Sequence, residues 1–408
     1  MDRTIACIDI GTTKTCTLVG ERDADGNLRV LGVGIAPSKG IRRGMVVNVA
    51  ETAQAIAASV EGAERISNYH IESALVGIGG KHISSINSRG VVVISRGHRG
   101  ITEEDVERAL EAARAIAIPH NRDIIHTIPR GYMIDDQDGV KDPIGMQAFR
   151  LEVEAHIVTG ASSSINNLVK CVEAAGLGVD DVVLQPLASG LAVLTEEERE
   201  MGVVLADIGG GTTDVAIFIE GSIWHTTILP TGGSSITNDI AIGLRTPFTT
   251  AEEVKIRYGR AFPDSVDDSK PLDITSFGDG GHQQISRQFL AEIIEARVEE
   301  IFKMILREVK RSGYDGLLPA GIVLCGGTAN LPGIQELGRE ILGMPVRIGA
   351  PHDLQGLVDV LGSPAYATGV GLLIWGLKEQ PPPPRSAPGM GSKVLGRLSN
   401  LFKPFLPG

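Results

Sequence analysis

Apolar positions along this chain follow two rhythms, and the same order of rhythms occurs twice. Apolar, β-prone runs near 4–10, 15–21 and 27–36 predict three strands; a 3.6-residue period near 50–66 predicts an amphipathic helix, and a strand follows near 72–78. The order restarts with strands near 202–208, 213–220 and 222–229 and helices near 233–243 and 250–259. Helices near 163–175 and 187–197 with a strand near 180–185 complete the first half. In the second half, helices near 286–312, 331–342 and 364–378 alternate with strands at 320–325 and 345–349. The pattern predicts an α/β fold of two duplicated lobes, each a mixed five-stranded sheet flanked by helices, with a cleft between them. An additional block, 82–157, interrupts the first half with strand-like runs near 90–95, 124–134 and 150–158. It also holds a charged helix at 102–116 that opens on the capping-type run Thr102-Glu103-Glu104-Asp105.

Two near-copies of one short pattern mark where the halves begin. Ile8-Asp9-Ile10-Gly11-Thr12-Thr13-Lys14 and Ala206-Asp207-Ile208-Gly209-Gly210-Gly211-Thr212-Thr213-Asp214 each run strand, tight turn, strand. Glycines leave main-chain N–H groups uncovered for phosphate oxygens, the threonines add hydroxyl donors, and Lys14 adds a positive charge. Asp9 and Asp207 cannot serve phosphate itself. Their chemistry suits Mg²⁺ held through water, since that ion dehydrates reluctantly. One such hairpin reads equally as an ordinary turn; the pair points to a polyphosphate gripped from both lobes.

Further loops fit the rest of a nucleotide. Cys325-Gly326-Gly327-Thr328-Ala329-Asn330 ends a strand in a bare glycine pair on which a base or ribose can lie, ahead of a helix with Pro332 in its first turn. Thr231-Gly232-Gly233-Ser234 precedes another helix N-terminus. Glu252 and Lys255 share a helix face and could hold ribose hydroxyls or form a solvated pair.

Composition narrows the class. With 408 residues, 51 glycines and a net charge of −12, the chain reads as a turn-rich, soluble two-lobed protein, and non-specific nucleic-acid binding is disfavoured. Cys7, Cys16, Cys171 and Cys325 lack metal or disulfide spacing and read as reduced core residues. The N-terminus enters a strand directly, so no signal peptide is expected, and no apolar run approaches the ~20 residues of a membrane span. The last residues have their own character. Residues 380–391 are rich in Pro, Gly and Ser and read as a flexible linker. From Ser392, Val394, Leu395, Leu398, Leu401, Phe402 and Phe405 fall on one helical face, with Lys393, Arg397 and Lys403 opposite. Residues 380–408 contain no Asp or Glu, so this basic amphipathic end suits an anionic membrane, or else the protein's own body or a partner. Pro404 should stop or kink that helix.

With both phosphate hairpins and the Gly326-Gly327 turn in this order, the chain resembles the actin/heat-shock-70/sugar-kinase superfamily and, within it, the FtsA family of bacterial cell-division proteins. The short stretch between the third strand and first helix leaves no room for the actin-type small subdomain; the extra block instead follows the fourth strand, as in that family. Segments such as His126-Thr127-Ile128-Pro129 and Ala251-Glu252-Glu253-Val254-Lys255-Ile256-Arg257-Tyr258-Gly259, and the basic tail, carry the likeness further. The resemblance implies lobe one (1A) at 1–81 and 158–200 with a relocated 1C subdomain at 82–157. It places lobe two (2A) at 201–232 and 286–360, a 2B subdomain at 233–285, a helix returning to 1A at 361–379, and a membrane-targeting helix at 392–408. It further implies an ATP- and Mg²⁺-binding, polymerising protein that tethers the tubulin-like FtsZ to the inner face of the cytoplasmic membrane at the division site. 2B would take the FtsZ C-terminal peptide, and 1C would meet the next copy and other division proteins. Gln185 sits where the chaperones carry a Glu. A Gln orients water but is a poor base, so the resemblance implies at most slow hydrolysis, with nucleotide acting mainly as a switch; Gln185 could equally cap its strand–helix junction. A pilus-assembly ATPase or a small-molecule kinase of the same superfamily is the alternative.

Overall fold

The computed structural model describes residues 4–23, 27–94, 100–267, 271–277 and 281–379. The membrane-facing positions assigned to 392–408 lie outside them. Strand β1 (Ile5–Ile10) is buried along its whole length, as its unbroken apolar run requires. It pairs antiparallel with β2 (Lys14–Arg22), and β2 pairs antiparallel with β3 (Leu28–Pro37). A small hairpin, β4 (Ile41–Arg42) and β5 (Met45–Val46), precedes α1 (Val49–Ser67). Asn48 caps that helix by accepting the Glu51 N–H, and Asn68 closes it in the left-handed conformation. Helix α1 lies directly on β3 because two glycines face each other. A Cβ on Gly34 would stand 1.7 Å from the Ser59 carbonyl oxygen, and one on Gly62 would stand 3.1 Å from the Gly34 Cα. Below that contact Thr17 and Ser59 share a buried hydroxyl–hydroxyl bond of 2.7 Å. Strand β6 (Ser73–Ile78) then pairs parallel with β1.

The interrupting block folds as its own layer pair. It contains β7 (Ser84–Val93), α2 (Glu103–Arg114), β8 (Arg122–Ile134), β9 (Gln137–Val140) and β10 (Arg150–Ala161), in a sheet of order β7-β10-β8-β9. Thr102 and Asp105 form the reciprocal capping box expected at the start of α2. Leu110, Leu151, Val153 and Ile157 belong to a core separate from those of the lobes. Strand β9 was not foreseen, because Gln137-Asp138-Gly139 reads as a turn.

The chain re-enters lobe one through α3 (Ser162–Ala174) and β11 (Gly178–Leu184), then α4 (Gln185–Val193) and α5 (Glu196–Met201). The single helix expected near 187–197 is two. Thr195 breaks it by capping α5 in a capping box with Glu198. Lobe two follows with β12 (Val203–Ile208), β13 (Thr213–Ile219), β14 (Ser222–Leu229), α6 (Gly233–Gly243), α7 (Phe248–Tyr258), β15 (Leu272–Thr275), β16 (His282–Ile285) and α8 (Arg287–Ser312). Then come β17 (Ile322–Cys325), α9 (Ile334–Leu342), β18 (Val346–Ile348), β19 (Leu354–Gly356), α10 (Val358–Leu361) and α11 (Ala367–Glu379). Helix α9 starts later than the sequence suggests: Gly333, at φ 84°, interrupts the chain after Pro332.

The two main sheets share one plan. Their orders are β11-β6-β1-β2-β3 and β18-β17-β12-β13-β14, with antiparallel pairs on the hairpin side and parallel pairs on the other. Lobe one carries a sixth strand, β19, which crosses from the second half to pair parallel with β3. Three residues were too few to read from the sequence. Helices α4 and α11 form the spine between the sheets; every residue of α4 after Gln185 is buried. A Cβ on Gly371 of α11 would fall 1.8 Å from the Ala188 carbonyl oxygen of α4, so the helices touch backbone to backbone. Phe218 of β13 packs against α4 at Gly190, which joins lobe two to the core of lobe one.

The helix–strand approach at Gly34 is testable. Gly34→Ala should push α1 off β3 and lower stability by about 3 kcal/mol. Urea titration of the variant checks this; an unchanged midpoint would show that the helix can back away without loss.

Candidate functional site

The two phosphate-type hairpins are the same turn built twice. Gly11 N–H donates to the Lys14 carbonyl at 3.0 Å, and Gly209 N–H donates to the Thr212 carbonyl at 2.9 Å. They face each other across the lobe boundary. A Cβ on Gly210 would lie 2.4 Å from Thr13 Cγ2, and one on Gly211 would lie 2.5 Å from Thr12 Oγ1. Gly210 with Thr13 and Gly211 with Thr12 are thus in direct contact across the lobe boundary, with Gly209 at the start of the same turn, and only glycine permits so close an approach. Thr213 is turned inward, where its hydroxyl donates to the Thr231 carbonyl at 2.9 Å. Gly44 N–H of the β4–β5 hairpin donates to Thr12 Oγ1 at 3.3 Å and holds the first turn.

The carboxylates stand near the ends of the strands that lead into these hairpins. Asp9 ends β1, and Gln185 Nε2 donates to its Oδ1 at 3.0 Å. Burial raises Asp9 to about 6, with Lys14 pulling it down and Asp207 pushing it up. Asp207 ends β12 in the equivalent place, and its Oδ2 accepts from Ser189 Oγ at 2.7 Å and Thr368 Oγ1 at 3.1 Å. Burial also raises Asp207. A third carboxylate, Asp214, stands directly opposite Asp207 in the β12–β13 register. Burial, then Asp207, holds it well above the carboxylate range, and its buried Oδ1 has no hydrogen-bond partner among the described residues. Asp214 is one candidate residue that the sequence pattern did not single out. Its signal was its place one strand-pair from Asp207, which the pattern alone presents as the next strand.

Among the described residues, no three His, Cys, Asp or Glu side chains converge as direct metal ligands. Three buried carboxylates of raised proton affinity, one with an orphaned oxygen, fit a hydrated cation that also takes phosphate oxygens. Lys14 is engaged elsewhere: its Nζ donates to the Ala365 carbonyl at 2.6 Å and stands 3.4 Å over the Tyr366 ring, at the entrance to α11. Gln185 is in place beside Asp9. Its amide lies against Gly79, where a Cβ would come within 2.0 Å of Oε1. A cavity of about 20 Å³, roughly one water, adjoins it and is lined by Gly77, Gly79 and His82 among others.

The remaining loops meet on the lobe-two side. Gly233 N–H donates to the Gly209 carbonyl at 2.9 Å, and Thr328 Oγ1 donates to the same carbonyl at 3.1 Å. Gly232 is packed on that turn, its Cβ position 2.6 Å from the Gly209 oxygen. Glu252 and Lys255 pair at 2.7 Å, and Lys255 Nζ also reaches Thr237 Oγ1 at 2.8 Å and the Gly233 carbonyl at 3.2 Å. The pair is therefore docked over the start of α6 and is no solvated helix face. Gly326, at φ 86°, passes so near Asp207 that a Cβ would stand 2.4 Å from Oδ1; Gly327 is open. Asn330 is occupied in the loop itself, donating to the Gly327 carbonyl at 3.3 Å and to Ser363 at 3.2 Å. Sequence reasoning missed Ser189, Thr368 and Tyr366, since only the packing of α4 and α11 brings them to the hairpins.

Comparison with known proteins agrees with this architecture. The family model described as Cell division protein FtsA matches residues 204–371, and the SHS2 domain inserted in FTSA matches residues 80–159. The chain is 47% identical over 403 residues to the cell division protein FtsA of Pseudomonas aeruginosa, covering 99% of this chain and 95% of that one. Among solved structures, the PilM–PilN type IV pilus biogenesis complex aligns with TM-score 0.67 at 17% identity, covering 91% of this chain and 98% of that one. MreB5 of Spiroplasma citri bound to ADP aligns with TM-score 0.54 at 15% identity, covering 91% and 96%. At such identities these two show the fold alone, which is that of the actin-like ATPases. The chain belongs to the FtsA family of cell division proteins.

Proposed function

We propose that the cleft binds Mg-ATP and that the bound nucleotide governs head-to-tail self-association of a protein that tethers FtsZ to the inner face of the cell membrane. The observation that carries the nucleotide reading is the pair of facing hairpins beside three buried carboxylates. Phosphate oxygens would lie against the N–H groups of 11–13 and 209–212, with the base and ribose between Gly232-Gly233, Gly326-Gly327 and the Glu252–Lys255 pair. Mg²⁺, when bound, supplies the positive charge that the triphosphate and carboxylates both need; Asp9, Asp207 and Asp214 would hold it through water. Gln185, tied to Asp9, would orient a water but not take its proton, which suits slow turnover.

Partner binding rests on exposed apolar side chains. Ile242, Phe248, Ile256 and Phe277 are exposed in block 233–285, which suits capture of the FtsZ C-terminal peptide. Val93, Ile144 and Phe149 are exposed on the inserted domain, which suits contact with the next copy or other division proteins. No helix among the described residues is long and apolar enough to cross a membrane. Attachment would fall to 392–408, whose six apolar positions contribute at most ~9 kcal/mol before the cost of ordering a helix. A single tail is therefore marginal, and filaments presenting many tails bind through avidity.

Three measurements follow. Asp207→Ala should weaken Mg-dependent ATP binding by roughly one to two orders of magnitude; calorimetry giving wild-type affinity would remove the metal role. Asp9→Asn should stabilise the nucleotide-free protein. Its carboxyl is near 6 when folded and 3.8 ordinarily, so the charged group opposes folding fully above pH 6, and that opposition disappears as pH falls toward 4. The variant should gain about 1–3 kcal/mol at pH 7.5 and nothing at pH 4, while losing Mg-ATP affinity; a pH-independent gain in thermal melts would refute the electrostatic cause. Finally, Phe402→Glu should abolish co-sedimentation with anionic vesicles and leave ATP binding intact. Vesicle binding at the wild-type level would show that 392–408 is not the anchor.

A further inference from the structure

The inserted domain reaches the candidate site through one buried side chain. His126, near the start of β8, is 4% exposed, and its Nε2 accepts the Leu184 backbone N–H at 3.0 Å. Leu184 ends β11, whose sheet neighbour among the described residues is β6 alone, so this N–H points off the sheet edge and meets no described strand. A buried N–H without a partner costs about 1–3 kcal/mol, so the imidazole is a structural requirement here. The next residue is Gln185, the first of α4, which is bonded to Asp9. No side chain caps α4, and His126 therefore fixes the junction at which Gln185 leaves the sheet.

Two neighbours restrain the imidazole and its strand. Trp375 of α11 meets the ring edge-on at 5.5 Å, and α11 begins beside Lys14 and Asp207. Burial pushes His126 down to about 4, so the ring is neutral and, with Nε2 accepting, carries its proton on Nδ1. Four residues earlier, Arg122 Nη2 donates to the His82 carbonyl at 2.9 Å, and His82 lines the same cavity as Gln185. The start of β8 thus bonds both the residue before Gln185 and a residue that lines its cavity.

We propose that His126 is a positioning residue of the nucleotide site, supplied by the inserted domain, and that it couples movement of that domain to the Asp9–Gln185 pair. The inference rests on the reading of the cleft as a Mg-ATP site. Coupling of this kind is reciprocal: whatever displaces β8 displaces Gln185, and a ligand that fixes Gln185 restrains β8.

Full-length protein carrying His126→Phe keeps an aromatic ring against Trp375 but removes the acceptor; His126→Gln returns one. In His126→Phe, amide exchange should quicken about tenfold or more at Leu184 and across 8–13, and stay unchanged in the lobe-two hairpin at 204–214. Calorimetry should show Mg-ATP affinity falling about tenfold while ATP affinity in EDTA changes less than about twofold, with His126→Gln recovering most of the loss. Should His126→Phe not fold, Arg122→Gln, which loosens the same strand from His82, should give the same Mg-specific loss to a smaller degree. Unchanged exchange across 8–13, or equal affinity losses with and without Mg²⁺, would overturn the positioning role. Wild-type protein that takes up no nucleotide would instead refute the proposed function, and the exchange measurement would decide the role of His126 by itself.

Discussion

Asp9, Asp207 and Asp214 lie buried where the lobes meet, and Asp207 raises the proton affinity of both other carboxyls. Like charges removed from water are tolerated only where donors or cations answer them. For Asp9 and Asp207, the oxygen and nitrogen side-chain donors come from lobe one or from the helix that returns to it: Gln185, Ser189 and Thr368; lobe two adds the Cys325 thiol to Asp207. Asp207, a lobe-two residue, is therefore satisfied by hydroxyls that reach it only when α4 and α11 are packed against β12. The orientation of the lobes and the electrostatics of the site are one problem. The backbone contact of Gly371 with Ala188 and the hairpin contacts at Gly210 and Gly211 are its steric side.

The inserted domain joins the same system from its flank. Besides His126 under lobe one, it touches the edge strand of lobe two. His156 bonds Asn87 at 2.7 Å and Thr226 at 3.0 Å, Ser85 donates to the Thr226 carbonyl, and Ser222 donates to the Pro129 carbonyl. Arg130 lies 3.9 Å over the Trp224 ring. Strand β14, which receives these contacts, runs at its far end into Thr231-Gly232-Gly233. A domain bonded to both lobes resists any change in the angle between them, whereas one attached to lobe one alone would leave that angle free.

Most of the fold could be read from periodicity because its elements are long and their strands are buried on both faces. Strands β1 and β12 are continuous apolar runs, and α1 and α8 have capped, periodic sequences. Short elements were hidden for the opposite reason: β19 has three residues, and its pairing with β3 is decided by how lobe two returns over lobe one. The site divides the same way. Turn residues such as Gly11 and Gly209 declare themselves through local backbone needs. Ser189, Tyr366 and Thr368 carry no local mark, since their roles arise only when two helices cross. Lys14 shows the limit from the other side: its charge was legible, but the Ala365 carbonyl and the Tyr366 ring that hold it are 351 and 352 positions away.

The duplication itself has been broken where charge matters. Because both hairpins have the same length, β-register makes Cys16 the counterpart of Asp214, each directly opposite its aspartate. Lys14 is likewise the counterpart of Thr212. Lobe one thus offers one carboxylate and one cation, and lobe two offers two carboxylates and none. A symmetric pair with two lysines would neutralise the carboxylates within the protein and leave no field for an added cation. A pair with no lysine would leave the buried carboxyls answered only by hydroxyls, a thiol and an amide, which favours their neutral forms. On the proposed Mg-ATP reading, the arrangement would leave carboxylates for the cation beside N–H donors for the phosphates, so the cation and the anion would each bind better when the other is present. That dependence follows from four side chains at two equivalent turns. It explains why near-identical backbones carry unlike residues at those positions.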